Sequence, residues 1–205
     1  MIIKNGLVFT SEGKFEEKDL YIEGEYVAKE TTDNKEIKAE GCYVIPGLVD
    51  IHFHGCVRHD MCDGTEESIQ ALADYEAENG VLAICPATMT IPEEELFQAM
   101  NAAREHKNGK GADLVGINME GPFVNKEKKG AQKEEDIKTA DVELFHKLQE
   151  AAGGLIKLVD LAPETEGAME FIDQVKDEVH VSIAHTMADL SLIHISEPTR
   201  LLSIS

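Results

Sequence analysis

A chain of 205 residues with 42% hydrophobic content is long enough for one sizeable core or one and a half small ones. Its 19 basic and 40 acidic residues leave a formal charge of −21, which argues against nucleic acid and anionic membranes as partners. No stretch reaches the length of a membrane span and the opening "MIIKNGLVF" lacks the pattern of a signal peptide, so a cytoplasmic location is expected.

Residues 1–43 read as a small β module of short strands and tight turns, with "IIKNGLVF" turning at Asn5-Gly6 and "DLYIEGEYVAKE" at Gly24. From Val44 the texture changes to five apolar, strand-like runs: "VIPGLVDIHFH", "GVLAICPATMT", "ADLVGINMEGP", "LIKLVDLAP" and "VHVSIAH". Helical spacing of apolar residues fills the gaps, over Glu66 to Asn79, Pro92 to Lys107, Asp141 to Ala152 and Glu166 to Lys176. Pro92 suits a first helical turn. Alternation of this kind predicts an α/β fold with a parallel sheet and right-handed crossovers. At roughly 30 residues per unit a full (β/α)8 barrel needs about 250. Residues 44–189 therefore supply a partial TIM barrel of about five βα units. Cys42, Cys56, Cys62 and Cys85 show no CxxC pairing and receive no function.

The chemistry gathers at the strand ends. His52 and His54 are two residues apart in an extended run, so their imidazoles point the same way and converge on one ion. Alone, such a pair is as readily packed or solvated as ligating. The third run, however, ends in "NMEGP" with Glu120 and the fifth in "SIAHTMAD" with His185, both where a barrel keeps its active site. Three imidazoles and a carboxylate suit Zn²⁺ first and Fe²⁺ second, as one ion or two, whereas Mg²⁺ asks for more oxygen. Glu120 bridges two ions or serves one.

These residues resemble the N-acetylglucosamine-6-phosphate deacetylases of the amidohydrolase superfamily. The resemblance is carried by "PGLVDIHFHG", "HDMCDG", "PATMT", "MEGPFVNKEKKGAQ", "LAPE" and "AHTMAD", and covers Met1 to about Asp189. It implies a metal-dependent amide hydrolase that converts N-acetylglucosamine 6-phosphate, a small amino-sugar phosphate, to glucosamine 6-phosphate and acetate. Glu120 and His185 match metal ligands, and His52 and His54 match a further pair in members that hold a second ion. Ala131 and Gln132 match a loop segment that contacts the sugar, at the core of the charged run "KEKKGAQKEED". Arg58 stands where a glycine of "HGxxG" is expected, and His59 reads as an exposed loop histidine. The family's remaining histidine ligand and its acid/base aspartate belong to later strands. No catalytic residue is therefore assigned, and the chain alone is expected to lack significant deacetylase activity. The resemblance further implies a homodimeric parent whose N-terminal β module is half of a composite sandwich.

Residues 190–205 are set apart. "LSLIHISEPTR" resembles the translation of a transposon-end sequencing adapter, so this tail is expected to be foreign to the fold. Two other functions compete with deacetylation. A dihydroorotase-like or deaminase-like enzyme shares the opening HxH, but a dihydroorotase-like site needs a lysine at the end of the fourth strand and Lys157 lies inside it. A non-catalytic sugar-phosphate binding domain would need no metal.

Overall fold

In a strand, successive side chains face opposite sides, and the N-terminal residues use this alternation to build one sheet. The computed structural model describes residues 1–196 and divides into two units, Met1–Gly47 and Leu48–Ser205. In the first unit β1 (Ile2–Phe9) pairs antiparallel with β2 (Phe15–Glu23), and β2 with β3 (Tyr26–Ala28). Two further strands, β4 (Glu36–Lys38) and β5 (Tyr43–Val44), run parallel to β1.

Gly24, at φ 61, makes the expected turn between β2 and β3. Asn5-Gly6 does not turn the chain. It forms a bulge inside β1, where the register slips between Ile3 and Gly6 and Asn5 sits at φ 57. An Asn-Gly pair supplies left-handed backbone that serves a hairpin or a bulge equally well. Here distant partners decide, because the Asn5 N–H donates to Asp19 Oδ1 at 3.0 Å. A Cβ on Gly6 would also come within 2.5 Å of Val44 Cγ2.

The second unit alternates as predicted. Strand β6 (Leu48–Asp50) leads to a small hairpin of β7 (Gly55–Cys56) and β8 (His59–Asp60), then to α1 (Glu66–Glu78) and β9 (Val81–Ile84). There follow α2 (Glu93–Glu105), β10 (Asp113–Leu114), β11 (Ile117–Glu120), α3 (Val142–Ala151), β12 (Ile156–Leu161), α4 (Ala168–Val175), β13 (His180–Ile183) and α5 (Leu190–Ser196). The strands form two parallel sheets, in the orders β10-β9-β6 and β11-β12-β13, joined by a parallel bridge between Ala87 and Asn118. The third predicted run is thus split, with β10 on β9 and β11 on β12. The step falls at Gly116, where a Cβ would lie 2.6 Å from Lys157 Cγ.

Sequence-local signals place the helices. The Thr65 hydroxyl accepts the Ser68 N–H to start α1, and the Asp141 carboxylate accepts the Leu144 N–H to start α3. Pro92 caps α2, where its missing N–H leaves nothing unsatisfied. Each helix then buries one stripe, such as Leu96, Ala99, Met100 and Ala103 on α2 or Phe171, Ile172 and Val175 on α4. These pack with Ile84, Ile117, Met119, Ile156 and Val159 of the strands in a single core. Lys157 sits near the start of β12 with its ammonium on the Gly154 carbonyl at 2.7 Å, remote from the strand end. Of the tail expected to be foreign, Leu190–Ser196 is α5 and 197–205 lies outside the described residues. Among the described residues no helix is long and apolar enough to cross a membrane.

Candidate metal centre

Parallel strands end on one side of their sheet, so residues at their C-terminal ends meet without being close in sequence. Glu120 closes β11 and is 4% exposed. In register beside it stands Asp160 of β12, which is level in turn with Ser182 of β13.

His52 and His54 lie beyond the three paired residues of β6, on a lead-out that belongs to no strand. The ladder breaks where the His52 N–H turns to the Asp50 side chain, donating to its Oδ1 at 3.0 Å. Backbone bonds flank the break, Cys85 N–H to the Asp50 carbonyl and Ala87 N–H to the Phe53 carbonyl, both at 2.8 Å. The two imidazoles converge as the i, i+2 spacing requires, with centroids 5.3 Å apart and planes at 82°.

Both rings aim Nε2 at one carboxylate oxygen, Glu120 Oε2, at 3.1 Å from His52 and 3.2 Å from His54. His185 Nε2 meets the other oxygen, Oε1, at 2.5 Å. The Nδ1–H of His185 donates to the Lys128 carbonyl at 2.8 Å, which leaves Nε2 as the nitrogen turned to Glu120. Burial pushes the His185 imidazolium down, but the Lys128 carbonyl and Glu120 outweigh it and hold its pKa above the ordinary value. Burial holds the Asp160 carboxyl above its usual range. Its Oδ2 lies 3.8 Å from His52 Nδ1.

Glu120 Oε2 is buried and accepts no hydrogen bond, and His54 Nδ1 is likewise buried without a partner. An orphaned carboxylate oxygen is costly in the interior. A divalent cation there removes that cost. The donor set fits one, since ligand atoms of His52, His54 and Glu120 all lie within 4.8 Å of one another.

The segment expected to touch a sugar divides. Ala131 is exposed, whereas Gln132 is buried and turns inward: its Oε1 accepts the Thr90 N–H at 2.5 Å and its Nε2 donates to Glu120 Oε1 at 2.7 Å. Gln132 therefore orients the carboxylate. Sequence reasoning also passed over Asn118, whose amide lies 2.9 Å from His52 Nδ1, and Asp160. Asn118 was open to discovery, because it is two residues from Glu120 on the same strand face. Asp160 was not, because only the strand register sets it beside Glu120.

His59 stands apart, with Nδ1 3.1 Å from the Ser68 hydroxyl at the start of α1. Arg58 adopts φ 70, the left-handed backbone that a glycine takes freely. The thiols take no part in the cluster. Burial raises Cys62 to about 12 and Cys85 to about 11, which keeps both protonated and unreactive.

Glu164, in the loop after β12, receives the Met187 N–H at 2.6 Å, the Asn125 side-chain amide at 2.7 Å and the Thr186 hydroxyl. Burial pushes its carboxyl up, but these donors outweigh that and hold it below its ordinary value of 4.5. A lowered carboxyl contributes stability above its unfolded pKa and loses it as pH falls through the folded one. The native chain is thus expected to lose melting temperature more steeply below about pH 4.5 than Glu164→Gln. Thermal melts across pH 3 to 6 check this; parallel curves for the two proteins would refute it.

Imidazoles and a carboxylate gathered at the ends of parallel strands in a β/α layer are the donor set and the placement of a divalent metal site. No family model matches the chain. Its sequence is 38% identical over 202 residues to the N-acetylglucosamine-6-phosphate deacetylase of Bacillus subtilis (strain 168), covering 94% of this chain and 49% of that protein. It is 28% identical over 191 residues to the N-acetylgalactosamine-6-phosphate deacetylase of Escherichia coli O157:H7, covering 91% and 51%. Among solved structures, the N-acetylglucosamine-6-phosphate deacetylase from Pasteurella multocida matches with a TM-score of 0.84 at 22% identity, over 95% of this chain and 53% of that one. The Mycobacterium smegmatis enzyme matches at 0.83 and 22% identity, over 96% and 53%. The chain is a relative of the N-acetylglucosamine-6-phosphate deacetylases, and it spans about half the length of the curated relatives it matches.

Proposed function

We propose that this chain carries the metal-binding part of a hydrolase that deacetylates N-acetylglucosamine 6-phosphate. One observation carries the reading: a buried carboxylate oxygen, Glu120 Oε2, accepts no hydrogen bond yet is faced by two imidazole nitrogens at strand ends. The names of the relatives supply the substrate.

In this reading His52, His54, Glu120 and His185 hold Zn²⁺ in first place or Fe²⁺ in second, as one ion or two. Such an ion, when bound, lowers the pKa of a water from 15.7 to about 7 and polarises an amide carbonyl. The chain's own residues keep the ligands aimed. Gln132 fixes Glu120, the Lys128 carbonyl fixes the His185 proton on Nδ1, and Asn118 bonds His52. Ala131 and Gln132 are read as the residues that contact the sugar, Gln132 in addition to its hold on Glu120. The acid/base aspartate is assigned to a part of the enzyme outside this chain. Residues 44–189 are read as about five units of a (β/α)8 barrel and 1–43 as half of a composite β-sandwich. Residues 190–205 are read as adapter-derived, and the parent enzyme as a cytoplasmic homodimer.

The test joins residues 1–189 to the part of the Bacillus subtilis relative outside the matched 202 residues. The chimera is expected to release acetate from N-acetylglucosamine 6-phosphate, and to lose that activity with a chelator or with the His52→Ala, His54→Ala pair. Faster release from N-acetylgalactosamine 6-phosphate would move the substrate to that epimer, as in the Escherichia coli relative. A folded, metal-loaded chimera that releases acetate from neither would overturn the proposal.

A further inference from the structure

We propose that Glu164 is a positioning residue that holds His185 in its ligand conformation, an inference that rests on the metal-centre reading above. His185 sits at φ 49. A non-glycine residue keeps such backbone only where its surroundings over-determine it, and three contacts do so here. The Asn125 N–H donates to the His185 carbonyl at 3.1 Å. Three residues further along the same loop, the Lys128 carbonyl receives the imidazole Nδ1–H at 2.8 Å. The two residues after His185 are tied to Glu164, through the Thr186 hydroxyl and the Met187 N–H at 2.6 Å.

Glu164 also binds the loop that makes the first two contacts, because the Asn125 side-chain amide donates to its Oε1 at 2.7 Å. One carboxylate thus clamps the segment after β13 to the loop that grips His185 by its carbonyl and its ring. Its own loop is anchored to the strand end beneath, where the Ala162 N–H donates to the Phe123 carbonyl at 3.0 Å. Among its hydrogen bonds none goes to Glu120 or to an imidazole, so Glu164 acts only through the segments it joins.

The rival view is a loop-closing carboxylate whose loss lowers stability and leaves the site unchanged. The test titrates Zn²⁺ into the 205-residue chain against a chromophoric chelator and records the visible spectrum of the Co²⁺ form. Melting of the metal-free protein is followed in parallel, so that loss of fold is not read as loss of affinity. Glu164→Ala is expected to weaken Zn²⁺ binding about 10- to 100-fold, the usual effect of losing a group that orients a ligand, and to shift the Co²⁺ bands. Thr186→Ala, which removes one hydrogen bond, should show a smaller loss of the same kind. Glu164→Gln should recover part of the affinity, since its amide oxygen still accepts the Met187 N–H. Native affinity and spectrum in Glu164→Ala, or in Thr186→Ala if the first does not fold, would overturn the latch. Glu120→Ala separates the two ideas: undiminished binding in that variant would overturn the metal-centre reading, and the latch with it.

Discussion

Glu120→Ala is expected to lower Zn²⁺ affinity by more than about 100-fold, beyond the 10- to 100-fold that outer partners contribute, whereas His59→Ala should leave it unchanged. Glu120 is the point on which the cluster converges: one oxygen faces His52 and His54, and the other faces His185 and the Gln132 amide. Removing it leaves three imidazoles without a carboxylate and Gln132 Nε2 with only the Met89 sulfur at 3.7 Å. In the metal-free protein the cost of that abandoned donor, about 1–3 kcal/mol, is offset by removal of the orphaned Oε2, so the metal titration and not the melt decides. His59 provides the contrast, because its ring belongs to the Ser68 and Asp63 cluster at the start of α1. Competition titration against a chelator measures both variants. Equal metal affinity in the two would remove Glu120 from the centre.

How much of this was legible in the sequence depended on how far apart the deciding partners lie. The helices were readable because their signals are local. The predicted span from Pro92 to Lys107 emerges as Glu93–Glu105, with proline at the cap and apolar residues on one stripe. The Asn5-Gly6 bulge was misread as a turn because its local chemistry is shared by both structures. Asp19 and Val44, which settle the matter, come from other strands.

The centre divides in the same way. His52 and His54 converge as the i, i+2 spacing predicts even though strand pairing stops at Asp50. Glu120 and His185 were found as residues at the ends of separate strands, which a parallel β/α layer brings to one side. Gln132 lay in a segment matched by resemblance, but nothing in the sequence says where a side chain turns. Burial and a backbone donor, Thr90 N–H, direct it to Glu120.

Phe171→Ala is expected to cost about 3–5 kcal/mol, the usual effect of emptying a buried aromatic site. Phe171 on α4 is 1% exposed, with its ring 5.2 Å from Phe123 and 5.7 Å from Phe145 of α3. Tilted and edge contacts of this kind add about 0.5–1.5 kcal/mol each to the area they bury. Phe123 lies in the segment just after Glu120, and its carbonyl receives the Ala162 N–H, so this aromatic group ties two helices to the strand ends that carry the ligands. At about 2–4 °C per kcal/mol for a domain of this size, the melting temperature should fall by roughly 6–20 °C. Phe171→Leu should lose less, because it keeps most of the volume. Tyr26→Ala is the control: its side chain is 76% exposed in the first unit, and its removal should change stability by under about 1 kcal/mol. If Phe171→Ala and Tyr26→Ala melted at the same temperature, the three rings would not be the joint between helices and ligand-bearing strands, and the centre would have to draw its rigidity from the hydrogen bonds of Gln132, Lys128 and Glu164 alone.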